Sequence, residues 1–170
     1  VYGSSPRMRF DISVNSMILE MFRSHKIVVR GKNNSRPFIH IKDAVKAYQN
    51  VIKTPKNIIS GQIFNVGSDE QNFKMGDIAE NIIKATGQKC DLELGDTNDH
   101  RSYITSFKKI TNELGFKSTY SIKDGANEIY NELSSNQLDS SNKTITLEWY
   151  KHIMSDQTLF NKLQINNQIL

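Results

Sequence analysis

Arg36 opens the stretch SRPFIHIKD (35–43), where a cation and a proline precede a short apolar run and then the start of a helix. A guanidinium at the mouth of a strand is suited to gripping phosphate, because its fork offers two parallel hydrogen bonds to a pair of oxygens. Arg101 stands in a second polar knot, NDHRSY, together with Asp99 and Tyr103. Arg7 and Arg9 lie in the entry segment, Asn15 in the first helical run, and Asn65 near the end of QIFNVG. A plainer reading stands beside this chemistry. An arginine at a strand end is commonly a solvated surface group, and an asparagine before a Val-Gly turn serves backbone groups equally well. His40 is expected to pack with one ring nitrogen bonded to backbone, and Asp43 to cap a helix.

Other chemistries are absent from the motif pattern. His25, His40, His100 and His152 are scattered, without HxH, HExxH or Cys/His spacing, so no metal site is expected. No G-x-S-x-G elbow and no P-loop lysine motif occurs, and neither G-x-x-G-x-x-G nor G-x-G-x-x-G is present to cradle a dinucleotide pyrophosphate. Cys90 is the single cysteine, in the run KCDLEL. It allows no internal disulfide, fits a reducing, cytoplasmic compartment, and reads as a packed residue rather than a nucleophile. The net charge of +4 is spread among interspersed acids and bases. That balance suits a small anionic ligand as well as a polyanion, and no basic stripe with interleaved aromatics singles out nucleic acid. No apolar run approaches the ~20 residues of a membrane span. The chain enters at Val1 with VYGSSPRMRF, at full stride, which suggests a fragment.

These residues need elements to hold them. In 12–25, Val14, Met17, Ile18, Met21 and Phe22 recur with helical spacing, and Asp11 is placed to cap that helix. KIVVR (26–30) reads as a strand, 31–34 supply turn residues, and RPFIHI resumes as a strand, so 26–41 is expected to form a hairpin. From Asp43, a second helix carries Ala44, Val45, Tyr48, Val51 and Ile52 on one face and stops at Pro55. QIFNVG (62–67) reads as a short strand. Met75, Ile78, Ala79, Ile82 and Ile83 form the clearest helical stripe, ended by Gly87. CDLEL is a strand, a short helix carries Ile110 and Leu114 as far as Gly115, and a helix over 122–133 buries Ile122, Ala126, Ile129 and Leu133. The serine- and asparagine-rich stretch 134–143 reads as a polar linker, and 144–170 as a helical extension in which Leu147, Trp149, Tyr150, Ile153 and Met154 gather. The composition is α/β without a regular βαβαβ rhythm. Taken from the residues alone, this is a soluble α/β piece with a candidate anion site built by two arginines.

Four blocks go further. VYGSSPRMRFD, VVRGKNNSRPFIHIKDAVKAY, GQIFNVGSDEQNFKMGDIAENI and DHRSYITSFKKITNELGF resemble, in this order and spacing, the second half of the extended short-chain dehydrogenase/reductases, the NAD-dependent nucleotide-sugar epimerases and dehydratases. Gly31, Arg36, Phe38, Ile39, His40 and Asp43 match the family's G-x-x-x-x-R-(D/P)-(F/Y)-I-H-V-x-D segment. Phe64, Asn65, Val66 and Gly67 match its (F/Y)-N-(V/I/L)-G turn. Arg101, Tyr103, Lys109, Leu114, Gly115 and Phe116 match its R-x-Y…K…LG-(F/W) stretch. The likeness covers about residues 1–133 and implies the substrate-binding lobe of a Rossmann-type enzyme, built of helices with short strands and a hairpin.

The resemblance implies that Arg36 and Arg101 contact the diphosphate of a nucleotide sugar, with Asn65, Asn15 and Tyr103 also on the substrate side. It implies Tyr2, in the V-Y-G block, near the cofactor, NAD, which the other half of such enzymes mainly binds. It also implies a homodimer for a full-length parent. The departures matter equally. Four residues after Tyr2, Tyr48, Tyr103, Tyr120, Tyr130 and Tyr150 stand Pro6, Ile52, Phe107, Asp124, Ser134 and Met154, so no Y-x-x-x-K motif exists and no catalytic residue is assigned. Pro37 stands where many members carry aspartate, and the tail after 140 lies outside the shared pattern. The expected function is the substrate-binding part of such an epimerase or dehydratase, inactive by itself. The alternative is a stand-alone nucleotide-sugar-binding module without catalysis.

Overall fold

A computed structural model of the chain describes residues 1–99, 101–165 and 168–169. Helix α1 (Ser13–Ser24) buries Val14, Met17, Ile18 and Met21 as their spacing requires, and ends on His25 in the left-handed conformation (φ 52°). Asp11 does not cap it. The residue before the helix is Ile12, without a side-chain cap bond, and Asp11 instead accepts from the Arg9 guanidinium at 3.1 and 3.0 Å.

Strand β1 (Lys26–Arg30) and strand β2 (Ser35–Pro37) do not form the expected hairpin. β1 pairs in parallel with β4 (Asp91–Gly95), Lys26 opposite Asp91 and Arg30 opposite Gly95. β2 pairs antiparallel with β3 (Asn72–Lys74), Ser35 opposite Lys74 and Pro37 opposite Asn72. The intervening turn explains the split. Gly31 adopts φ 77°, and its N–H and that of Lys32 both donate to the Gly95 carbonyl, at 2.9 and 3.2 Å. The carbonyls of Lys32 and Asn34 then accept from Gly76 and Met75, at the start of helix α4 (Met75–Thr86). The turn closes locally through the Asn34 N–H to the Gly31 carbonyl at 2.9 Å, but its other backbone groups serve two other elements.

α1, α4 and helix α6 (Ile122–Ser134) pack on one another and, through α1 and α4, on β1. Ile18, Ile27, Ile78, Ile82, Ala126 and Ile129 are fully enclosed there, with Met8, Phe10 and Phe38 at the margins. A smaller cluster joins Ile39 and Ala47 to Phe107, Ile110 and Phe116 around the short helix α5 (Lys108–Leu114). Gly87 and Gly115 end α4 and α5 with positive φ as read from the sequence. Cys90 is half-buried, and burial pushes its thiol up, as befits a packed residue.

Helix α2 (Ile41–Lys53) has the expected stripe but turns it outward: Tyr48 is 75% and Ile52 82% exposed, while Asp43 and Ala47 face the body. Nor does Asp43 cap it. His40 does, its Nδ1 accepting from the Lys42 N–H at 3.2 Å. The Asp43 carboxylate reaches across to the backbone N–H groups of Thr119 (3.0 and 2.9 Å) and Tyr120 (2.9 Å), and this anchor fixes the rotation of the helix. A single turn, α3 (Lys56–Ile59), follows Pro55. Residues 62–67, read as a strand from the sequence, have no regular secondary structure and pair with no strand among the described residues. Helices α7 (Thr146–Ser155) and α8 (Gln157–Leu163) form the tail, where Ile153 is buried but Leu147 and Met154 face solvent. The polar stretch before them lies along the body, Leu138 against the core and the Thr144 carbonyl accepting from Phe10.

Around His40 the chain closes into a polar hub. Tyr2 is buried beside it, with its backbone bonded to Ile39 and Ile41 and its hydroxyl 3.0 Å from Gln71 Oε1 and 3.3 Å from the Tyr120 carbonyl. Tyr120 stacks on the His40 ring (4.6 Å, 22°). Because Nδ1 accepts, His40 carries its proton on Nε2 and donates it to Glu128 Oε2 at 2.9 Å. Lys42 pairs with the other oxygen of Glu128. Burial is the largest influence on Glu128 and pushes its carboxyl up, but Lys42, the Ser4 N–H and His40 together hold it below the ordinary glutamate value.

Two predictions follow from the hub. A Cβ on Gly125 would stand 2.6 Å from the Tyr2 ring, so Gly125→Ala, which in an open helix gains up to ~1 kcal/mol, should here lower the thermal midpoint. Glu128 has a depressed pKa, so its contribution to stability is complete above the ordinary value of 4.5 and is lost as pH falls through the lower folded value. Glu128→Gln should therefore be about 1 kcal/mol less stable at neutral pH, with a shallower loss of stability below pH ~4.5, in denaturant melts across that range.

Candidate functional site

The segment that follows β4 runs back over β2 and β3 and is stitched to them along its length. Asn34 Nδ2 donates to the Asp99 carbonyl at 2.7 Å. The Ser35 N–H donates to Ser102 Oγ at 2.9 Å, and the Tyr103 N–H to the Ser35 carbonyl at 3.1 Å. The Asn72 amide grips Thr105 in both directions, accepting from its N–H at 2.9 Å and donating to its carbonyl at 3.0 Å. Asp69 then accepts from the Phe107 N–H at 2.7 Å. Local side-chain bonds of this kind suit asparagine, aspartate and serine, and they explain why a loop with no secondary structure holds a defined path.

That path brings three of the expected site residues together. Arg36 lies with its guanidinium 4.9 Å from the centre of the Tyr103 ring and donates from Nη1 to the Ser35 carbonyl at 2.9 Å. Arg101 is bound to the Asp99 carboxylate, Nε to Oδ1 at 2.8 Å and Nη2 to Oδ2 at 2.7 Å. The same Oδ2 is 4.0 Å from Arg36. The Arg101 hydrogen bonds, its backbone N–H and the charge of Arg36 hold the Asp99 carboxyl far below the usual carboxylate range. Two guanidiniums therefore face one anionic position at the surface.

The remaining three residues lie elsewhere. Asn65, in the stretch 62–67, is exposed and meets the far end of that loop, its Nδ2 3.4 Å from the Ser106 carbonyl, beside a cavity of about 220 Å³ lined by Pro37, Val66, Thr105 and Phe107. Asn15 is buried, accepting from the Gly3 N–H at 3.3 Å and donating to the Arg9 carbonyl at 3.1 Å, so both ends of its amide tie down the entry segment. Tyr2 belongs to the hub. A roomier cleft of about 500 Å³ runs along Ser4–Met8, Lys42, Glu128 and Lys143, with Glu128 paired to His40 and Lys42. No group of metal-ligating side chains occurs among the described residues. Asp99 itself was legible only as one member of a polar knot; its place between the arginines depends on the fold of the loop.

Residues 1–67 match the model of the NAD dependent epimerase/dehydratase family. Among solved structures, UDP-glucuronic acid 4-epimerase of Bacillus cereus, in complex with UDP-glucuronic acid and NAD, is similar at 22% identity and TM-score 0.66 over 79% of this chain and 43% of its own. The dTDP-glucose 4,6-dehydratase of Bacillus anthracis, in complex with NAD, is similar at 21% and 0.61, over 79% and 43%. RMD of Pseudomonas aeruginosa, complexed with NADPH, is similar at 18% and 0.65, over 79% and 46%. Over 79% of its length the chain shares the fold of one part of these structures. It spans less than half the length of these structures. NAD is the cofactor of the family. The residues present here do not by themselves fit a dinucleotide: the sequence has no glycine-rich pyrophosphate motif, and the Tyr2 hydroxyl is already committed to Gln71 and Tyr120. No helix among the described residues is long and apolar enough to cross a membrane.

The loop that carries Asp99, Arg101 and Tyr103 depends on Asn72. Asn72→Ala removes both bonds to Thr105 and should cost about 1–2 kcal/mol, read as faster amide exchange at Thr105 and Phe107 with α1, α4 and α6 unchanged.

Proposed function

We propose that this chain is the substrate-binding part of an NAD-dependent nucleotide-sugar epimerase or dehydratase, an isomerase or lyase of carbohydrate metabolism working in the cytoplasm. Arg36 and Arg101 grip the nucleotide diphosphate, with Tyr103 beside Arg36 and Asn65 on the substrate side, while the buried Asn15 serves only to tie down the entry segment. The observation that carries this reading is the convergence of two guanidiniums on one anionic position, in a chain whose first 67 residues match the family model. Paired arginine forks suit a diphosphate, which presents several oxygens at fixed spacing.

Residues 1–133 form the nucleotide-sugar lobe in this reading, 134–143 join it to the tail, and 144–170 are an addition to it. NAD is held mainly by protein outside this chain, and Tyr2, enclosed in the hub with its hydroxyl bound to Gln71 and Tyr120, serves the hub instead of the cofactor. The general base and hydride-transfer machinery lie there too, so the chain alone is inactive. The exposed side of α2, with Val45, Tyr48 and Ile52, and the unpaired stretch around Ile63 support this view over a stand-alone binding module, because an apolar face of that kind calls for a cover. A homodimer of the full-length parent fits the same reading.

Calorimetric titration with UDP-sugars and GDP-sugars tests the grip. Saturable binding is expected, weakened about 10- to 100-fold in Arg36→Ala, as befits loss of charge-assisted hydrogen bonds. Equal affinity in wild type and variant would remove Arg36 from the site.

A further inference from the structure

Among the described residues Asp99 is the carboxylate that both arginines approach, and its contacts divide unequally. It receives the inner fork of Arg101, through Nε and Nη2, and also accepts from the Arg101 backbone N–H at 3.0 Å. Arg36 approaches the same carboxylate only to 4.0 Å, and its position is set further by the Tyr103 ring and the Ser35 carbonyl. Arg101 is 82% exposed, and Asp99 is its one side-chain partner among the described residues. A long side chain in that situation would sample many rotamers if released. With Nε and Nη2 engaged by a carboxylate, its outer edge, Nη1 and the second hydrogen of Nη2, is left pointing away from Asp99 in a fixed plane.

Resting on the reading of Arg36 and Arg101 as the diphosphate grip, we infer that Asp99 is a positioning residue, which holds the Arg101 fork and orders the pair of arginines before the diphosphate arrives. Its own segment is fixed independently of the arginines, since Asn34 holds the Asp99 carbonyl and Thr97 Oγ1 accepts from the Asp99 N–H at 3.2 Å. The carboxylate thus stands on a rigid base and transmits that rigidity to Arg101. Two effects oppose each other here. The negative charge repels an incoming anion, whereas the ordering of Arg101 lowers the entropic cost of binding it. The Asp99 side chain is 37% exposed, so its repulsion of an anion beyond the guanidiniums is partly screened by water. Ordering is not screened, so it prevails.

The test is a double-mutant cycle with UDP as the probe, using wild type, Asp99→Ala, Arg101→Ala and the double variant. Asp99→Ala should weaken UDP about tenfold, and Arg101→Ala should matter much less in the Asp99→Ala background than in wild type. Asp99→Asn, which keeps one acceptor oxygen for the guanidinium and leaves the backbone anchors in place, should retain part of the affinity and serves as the folded control. Tighter binding by Asp99→Asn and Asp99→Ala would overturn the proposal, showing that the carboxylate competes with the ligand. Additive losses would overturn it too, since Asp99 would then act without Arg101. In both cases UDP binding lost in Arg36→Ala would leave the proposed function standing. Absence of UDP binding by folded wild type and by every variant would overturn both.

Discussion

A buried carboxylate organises this chain. Asp43, on the first turn of α2, is wholly enclosed and carries three backbone N–H bonds from Thr119 and Tyr120. A carboxyl group buried in such a place would be costly without those donors, so the donors and the side chain must find one another for the chain to be compact. Once they do, the segment before α6 is fixed. Tyr120 is laid on His40, its carbonyl takes the Gln71 amide at 2.7 Å, and the Tyr2 hydroxyl closes the ring. Four stretches far apart in sequence are thus joined through hydrogen bonds that tolerate little displacement.

The apolar core and the arginine site depend on this hub in different ways. The α1–α4–α6 core is ordinary hydrophobic packing, but the rotation of α6 that presents Ile122, Ala126 and Ile129 inward also brings Gly125 under the Tyr2 ring and Glu128 to His40. The arginine site is built on β2 itself, through Arg36, and on the loop that crosses it. Strands β2 and β3 are three residues each, too short to hold a loop by sheet pairing alone. Asn34, Asp69 and Asn72 supply the hold instead. A rigid hub therefore supports a small sheet, and the sheet carries a loop tied by asparagine and aspartate side chains.

Much of this was legible in the sequence wherever a local rule sufficed. The 3.6-residue spacing placed α1, α4 and α6 with their buried faces, and Gly87 and Gly115 marked two helix ends. The same rule found α2 but not its rotation, because a buried Asp43 outweighs a stripe of Val45, Tyr48 and Ile52 that has nothing to pack on among the described residues. Strand pairing was the larger failure. KIVVR and RPFIHI are adjacent in sequence, yet β1 finds its partner 65 residues on, which no local pattern encodes. At the site, residue type pointed to Arg36 and Arg101, and their convergence came from a loop path set by Asn34, read from sequence as a turn residue, and by Ser35, Asn72 and Ser102, to which no role was assigned. Asn15 looked the same from outside, but its amide proved to be an internal tie.

The position of Tyr2 bears on how such a chain is made. Its ring is covered by α6 and its hydroxyl meets a carbonyl 118 residues later. A ribosome adding roughly 5–20 residues per second needs about 6–24 s to cover that interval. For all that time the V-Y-G segment is out of the exit tunnel with neither its cover nor its hydrogen-bond partner. Closure of the hub must therefore wait for a late helix to cover an early segment.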